Sequence, residues 1–252
     1  VRPLATVPVT TFPGEERDPA LAPDGQRVAF AWDGESDATP DGRQFDVYVQ
    51  AVGGGDPVRL TSHPADDLSP AWSPDGAVVA FVRCAVGGCG ISVVPAGGGV
   101  ETALVVPDDL RIQTLVWSPD GATLAFAARR GTSGAYRLHR LALERTGGRL
   151  RAARVQTTRM TAPPATYPGD LDPAWSPDGQ SLAFVRTSLD GRQDVCLVAV
   201  DGGTVTRLAR EQRGVTGLDW TADGREVLYA ANRDGAAGLW RVPAGGGTPR
   251  WV

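Results

Sequence analysis

The carboxylates are the residues whose types and spacing could first do chemistry. They fall in four clusters: Glu15, Glu16 and Asp18; Asp66 and Asp67; Asp108 and Asp109; Asp170 and Asp172. Asp33, Glu35, Asp37 and Asp41 add a further acidic stretch. Grouped carboxylates focus a negative potential. Such a group attracts a basic peptide segment, or holds a hard cation such as Ca²⁺ through its oxygens. A pair flanking a sugar bond would be the acid and base of a glycosidase. Turn-forming, solvated Asp residues give the same pattern without any site. Nucleophilic chemistry finds no support. Gly131-Thr-Ser-Gly134 lacks the spacing and the following helix of a nucleophile elbow. No P-loop or H-E-x-x-H occurs. The two histidines, His63 and His139, sit at no metal-ligand spacing and complete no triad. The expectation is therefore a chain without catalytic residues, metal ligands or cofactor, a structural Ca²⁺ being the one cation reading left open.

The chain has 252 residues, with Gly 32 and Pro 20, which is too much of both for a helical protein. No apolar run reaches the 18 or so residues of a membrane-spanning helix. A formal net charge of −4 argues against a dedicated nucleic-acid binder. That average hides an asymmetry. Residues 129–159 hold nine Arg and one acid, Glu144, so this stretch carries +8 and the remainder −12. It could contact acidic partners, nucleic acid or lipid headgroups. Tyr136 is its only aromatic, which weakens nucleic-acid readout, and a solvated edge is the preferred reading. All 25 basic residues are Arg, which reads as the codon bias of a GC-rich genome. Cys84 and Cys89 bracket Ala-Val-Gly-Gly, a hairpin tip across which they could bridge; two unbridged residues at strand ends are the alternative.

What must position these groups is an internal repeat. Asp18-Pro-Ala-Leu-Ala-Pro-Asp-Gly-Gln-Arg-Val-Ala-Phe30 recurs as Ser69-Pro-Ala-Trp-Ser-Pro-Asp-Gly-Ala-Val-Val-Ala-Phe81. It returns from Thr114 to Phe126, from Asp172 to Phe184 and, more diverged, from Gly217 to Tyr229. The Asp-Gly pairs begin at 24, 75, 120, 178 and 223, spacings of 45–58 residues. That period fits four short strands per unit, the propeller-blade range. Within a unit, the Ala-Trp-Ser segment reads as strand a and Pro-Asp-Gly as a tight turn. A run such as Leu124-Ala-Phe-Ala-Ala128 is strand b, apolar throughout because both faces are packed. Gly-rich turns such as Gly53-Gly54-Gly55 separate strands c and d. Trp72, Trp117, Trp175 and Trp220 on strand a, with Leu21 in the first copy, face Phe30, Phe81, Phe126, Phe184 and Tyr229 as a structural core between blades.

The recurring (Asp/Ser)-Pro-Ala-Trp-Ser-Pro-Asp-Gly-x-x-(Leu/Val)-Ala-Phe unit resembles the TolB-type, WD40-like bacterial β-propeller repeat, as does the strand-d ending Leu60-Thr-Ser-His-Pro64. The resemblance covers nearly the whole chain and implies an all-β propeller of four-stranded antiparallel blades. The blades are placed at 18–61, 69–106, 114–160, 172–209 and 217–252. Residues 7–13 align with 58–64 as an orphan d-strand. Five blades plus that strand predict a six-bladed ring whose remaining strands lie beyond residue 252, with a closed five-bladed ring as the alternative. The family includes a periplasmic envelope protein that docks partners, sensor propellers attached to regulators or kinases, and gating propellers of prolyl-oligopeptidase-type peptidases.

The expected function follows. The chain is read as a non-enzymatic protein- or peptide-binding, or ligand-sensing, module of a larger envelope or signalling protein. The d–a loops would bring Glu15, Glu16, Asp18, Asp66, Asp67, Asp108, Asp109, Asp170 and Asp172 around the channel mouth as the partner site. A gating domain of a serine peptidase is the alternative. Domains attached upstream or downstream are expected, nucleic-acid binding is not, and the compartment is read as periplasmic or otherwise extracytoplasmic, with the cytoplasm as alternative.

Overall fold

The computed structural model describes residues 8–34, 44–105, 109–147, 149–153, 157–211, 214–233 and 236–252, all in strands, turns and irregular chain, with no helix among them. Blade 1 is built from β1 (Glu16–Leu21), β2 (Arg27–Trp32), β3 (Asp46–Ala51) and β4 (Val58–Arg59). Blade 2 follows with β5 (Asp66–Trp72), β6 (Val78–Ala85), β7 (Gly88–Pro95) and β8 (Thr102–Val105). Blade 3 has β9 (Leu110–Trp117), β10 (Thr123–Arg130), β11 (Arg137–Thr146), β12 (Arg149–Ala152) and β13 (Thr158–Arg159). Blade 4 has β14 (Gly169–Trp175), β15 (Ser181–Thr187), β16 (Gln193–Ala199) and β17 (Thr206–Glu211), and blade 5 has β18 (Thr216–Trp220), β19 (Glu226–Arg233), β20 (Ala236–Pro243) and β21 (Arg250–Trp251). Four of the sheets are antiparallel meanders in chain order, blade 3 departs from this in that β12 and β13 both pair with β11, and the five form a propeller with β1, β5, β9, β14 and β18 innermost.

The turns obey the residues that make them. In the Pro-Asp-Gly turns Gly76 has φ 65° and its four equivalents lie at 67–69°, a region open to Gly without penalty. The preceding Ser or Thr closes the turn: Ser73 Oγ donates to Asp75 Oδ1 at 2.6 Å while Ala77 N donates to the same oxygen at 3.0 Å. The pattern returns at Ser118–Asp120, Ser176–Asp178 and Thr221–Asp223. These hydroxyls hold the four carboxyls below the ordinary range.

Four cores join neighbouring blades. Trp72, Val79 and Phe81 pack on Ala29 and Val47; Trp117 and Phe126 on Ile91 and Val93; Leu182 and Phe184 on Leu138 and Met160; Trp220 and Tyr229 on Ala174 and Val195. No comparable core joins blade 5 to blade 1 among the described residues. The tryptophans do more than fill space. Trp72, Trp117 and Trp220 each donate Nε1–H to a carbonyl of the preceding blade, Ala20, Ala71 and Ala174, at 3.0–3.1 Å. Trp175 departs from this: it is only partly buried and its Nε1 meets no acceptor. Leu21, at the equivalent place in blade 1, is exposed.

Two features differ from the sequence reading. The a strands of blades 1, 2 and 4 start four or five residues earlier than the Ala-Trp-Ser segment or its equivalent, running through Asp18-Pro19, Ser69-Pro70 and Asp172-Pro173 as bulges. A bulge releases the ladder position that a proline cannot fill. Within the Arg-rich stretch 129–159, strand c is extended rather than ending in a short turn: β11 runs to Thr146 and pairs first with β13, then with β12, which folds onto β8 of blade 2. Of the 7–13 segment, residues 8–13 are described. They form no ladder; Phe12 lies against Phe30 and Trp32 on the outer face of blade 1.

Candidate functional site

The a strands surround a central channel of about 790 Å³. Its wall is mainly apolar, with Pro19, Pro70, Pro173, Trp72 and Trp117 among its lining. The bulges decide which polar groups enter it. Asp18 (φ 51°), Ser69 (φ 49°) and Asp172 (φ 50°) all occupy left-handed backbone, sparsely populated by non-glycine residues. All three line the channel. Asp18 and Ser69 are tied together: Ser69 N donates to Asp18 Oδ2 at 3.0 Å, and Ser69 Oγ lies 2.6 Å from Gln113 O. Asp172 makes no ion pair among the described residues, and burial, with the Asp18 carboxylate as a smaller contributor, pushes its carboxyl above the ordinary value.

The eight described carboxylates expected at the channel mouth have different surroundings. Asp67 and Asp170 are fully buried, each clamped by two hydrogen bonds from an arginine on the neighbouring strand: Arg83 Nε and Nη2 at 2.7 Å, and Arg186 Nε and Nη2 at 2.7 and 2.9 Å. Each guanidinium also lies over a phenylalanine, Phe81 or Phe184. Each pair braces the two innermost strands of its own blade, β5 to β6 and β14 to β15, and is unavailable to a partner. Asp66 accepts from Phe45 N at 3.0 Å, Asp109 pairs with Arg130 at 2.9 Å, and Glu15 pairs with Arg17. Glu16 accepts from Thr10 and Phe12. Asp108, Glu35, Asp37 and Asp41 lie outside the described residues. Of the eight described carboxylates of that set, Asp18 and Asp172 line the channel. The arginine partners had a signal in the sequence: Phe81-Val-Arg83 and Phe184-Val-Arg186 occur in the two units that carry the buried Asp. Ser69 had none beyond its alignment with Asp18 and Asp172.

No group of three or more His, Cys, Asp or Glu among the described residues could hold a metal ion. His139 is half-buried among arginines, remote in type from any nucleophile-and-carboxylate set, and Cys196 is buried with its thiol pushed up to about 12 by desolvation. A disulfide joins Cys84 and Cys89 across the β6–β7 hairpin. No helix of the described residues is long and apolar enough to cross a membrane.

Five antiparallel sheets around a central channel define a β-propeller. Residues 2–164 match the model of the TolB beta propeller domain, and the chain belongs to that family. A putative TolB from Agrobacterium tumefaciens superposes with a TM-score of 0.73 at 20% identity, over 96% of this chain and 82% of that one. TolB from Acinetobacter baumannii gives 0.68 at 18%, over 96% and 57%. Among curated relatives, the peptidase YuxL of Bacillus subtilis is 40% identical over 65 residues, which is 25% of this chain and 9% of that protein. An Agrobacterium fabrum protein, Atu1656, is 33% identical over 72 residues, 29% and 24% of the two lengths. The chain therefore matches less than a quarter of either relative's length.

Proposed function

We propose that this domain is a non-catalytic binding module whose central channel receives a basic side chain or segment of a protein or peptide partner. Asp172 carries the proposal: a partly desolvated carboxylate with no cation of its own, opposite Asp18 in an apolar-walled channel. A carboxylate kept at the expense of its own solvation is placed to gain most from an incoming ammonium or guanidinium. Fluorescence anisotropy with a labelled oligo-arginine peptide tests it. Saturable binding is expected, about tenfold weaker in Asp172→Asn, since a hydrogen bond to a charged group contributes about 1.5–3 kcal/mol. Equal affinity for an oligo-glutamate peptide, or no effect of the substitution, overturns it.

The likeness to YuxL favours a second reading, a gating propeller for a peptidase domain carried elsewhere in the protein. Hydrolysis of peptide p-nitroanilides by the full-length gene product, absent from this domain alone, would support it. The Cys84–Cys89 disulfide supports an oxidising, extracytoplasmic compartment. Denatured protein prepared without reductant should then titrate one thiol, Cys196; three would place it in a reducing compartment.

A further inference from the structure

A second cluster lies away from the channel, on the face of blade 3 turned toward blade 2. In β11, Arg137 and His139 are two residues apart and so share a face. His139 stands opposite Phe126 on one side and Arg159 on the other, and Arg137 stands opposite Ala128. Phe126 and Ala128 belong to the core shared with blade 2, which fixes the direction this face looks. Arg130, two residues beyond Ala128, continues the face at its rim and is paired with Asp109. Neither Arg137 nor Arg159 has a carboxylate partner among the described residues. His139 stacks on Phe126 at 5.7 Å, and its Nδ1 and the Nε of Arg137 are buried without a hydrogen-bond partner. Arg137 Nη1 reaches only the Ala135 carbonyl, at 3.3 Å.

Like charges directly opposite or adjacent on a sheet repel, and orphaned buried donors are rare in folded proteins. One kind of ligand relieves both. We propose that Arg137, His139 and Arg159 form an oxyanion site that takes a phosphate group. Guanidinium forks match phosphate oxygens two at a time, and a tetrahedral anion offers oxygens to three side chains arriving from two strands, where a carboxylate offers two. The site is independent of the channel and does not rest on its proposed ligand.

Isothermal titration of the intact domain with sodium phosphate at pH 6, in parallel with glycerol phosphate, tests it. Saturable binding is expected, falling about tenfold or more in Arg137→Gln and in Arg159→Gln, the loss of a charge-assisted hydrogen bond. Arg140→Gln is the control, because Arg140 faces the other way and pairs with Asp201; it should keep the wild-type affinity. The imidazole signals of His139 should also report the anion, titrating closer to the ordinary histidine value in saturating phosphate than in chloride. Equal binding of both ligands identifies the free anion as sufficient, and tighter binding of the ester identifies an esterified phosphate as the source. Absence of saturable binding to either, or binding that survives both arginine substitutions in folded protein, overturns the proposal.

Discussion

At the residue scale, carboxylates of one type have opposite consequences. Asp67 and Asp170 are desolvated but fully satisfied, so removing one strands a buried arginine. Asp67→Asn should lose about 3–5 kcal/mol in urea denaturation, the usual cost of breaking a buried pair from one side. Asp172 has a raised carboxyl pKa in the fold. The folded state therefore holds its proton more tightly, and that stability is present below the unfolded value and lost as pH rises through the folded one. Asp172→Asn should accordingly leave the melting temperature at neutral pH unchanged or raised, while weakening peptide binding. His139 has the reverse sign for a base. Burial first, then Arg137, Arg159 and Arg130, lower it from 6.5 to about 4. Between those values the unfolded chain takes up a proton that the fold refuses, so stability is full above pH 6.5 and declines as pH falls toward 4. His139→Phe should flatten that slope in melts recorded across the window. The sequence could say that carboxylates cluster, but not which are braced. That depends on a cross-strand arginine arriving with its guanidinium in plane, a matter of register. Asp67 and Asp66 are neighbours in sequence and face opposite sides of one sheet.

At the element scale, the repeated Trp is both filler and strut. Its indole N–H spans two blades, so Trp117→Phe should cost about 1 kcal/mol for the lost hydrogen bond, and Trp117→Ala about 3–5 kcal/mol once the cavity is added. Denaturant titration of the two variants separates the contributions, and equal losses would deny the bond any role. The strands and tight turns were legible because their chemistry is local: Pro-Asp-Gly fixes the turn and a fully apolar run fixes strand b. The bulges were not. Asp-Pro inside a strand reads as a loop, since proline removes a ladder donor; only the sheet's need to continue to Glu16 or Gly169 on the far side turns it into a kink. The β11–β12 extension was hidden for a related reason. Its alternation Leu141, Leu143 and Leu150 is interleaved with arginines, and the apolar half gains a place only because β8 of the neighbouring blade is there to receive it.

At the scale of the whole molecule, the cores act in series: blade 1 on 2, 2 on 3, 3 on 4, 4 on 5. Each blade depends on its neighbour for one face, so stability should behave as a sum of blade terms and nearest-neighbour interface terms. Position then matters as much as chemistry. Trp220 couples only blade 5 to the rest, through Ala174 O and the core around Tyr229. Trp117 sits in the blade 2–blade 3 core, where the β12 strap and the Arg145–Asp75 pair also cross. Native-state hydrogen exchange should separate them. In Trp220→Ala the amides of β19 and β20 should lose protection by a factor of ten or more while β6 and β10 keep theirs, a local opening rather than a global one. In Trp117→Ala the loss should spread to blades on both sides, because Trp117 lies in the core that joins blades 1 and 2 to blades 3, 4 and 5. Uniform loss of protection in both variants would mean that the ring unfolds as one unit. The two a-strand carboxylates of the channel would then be positioned by global cooperativity rather than by the pairwise packing of blades.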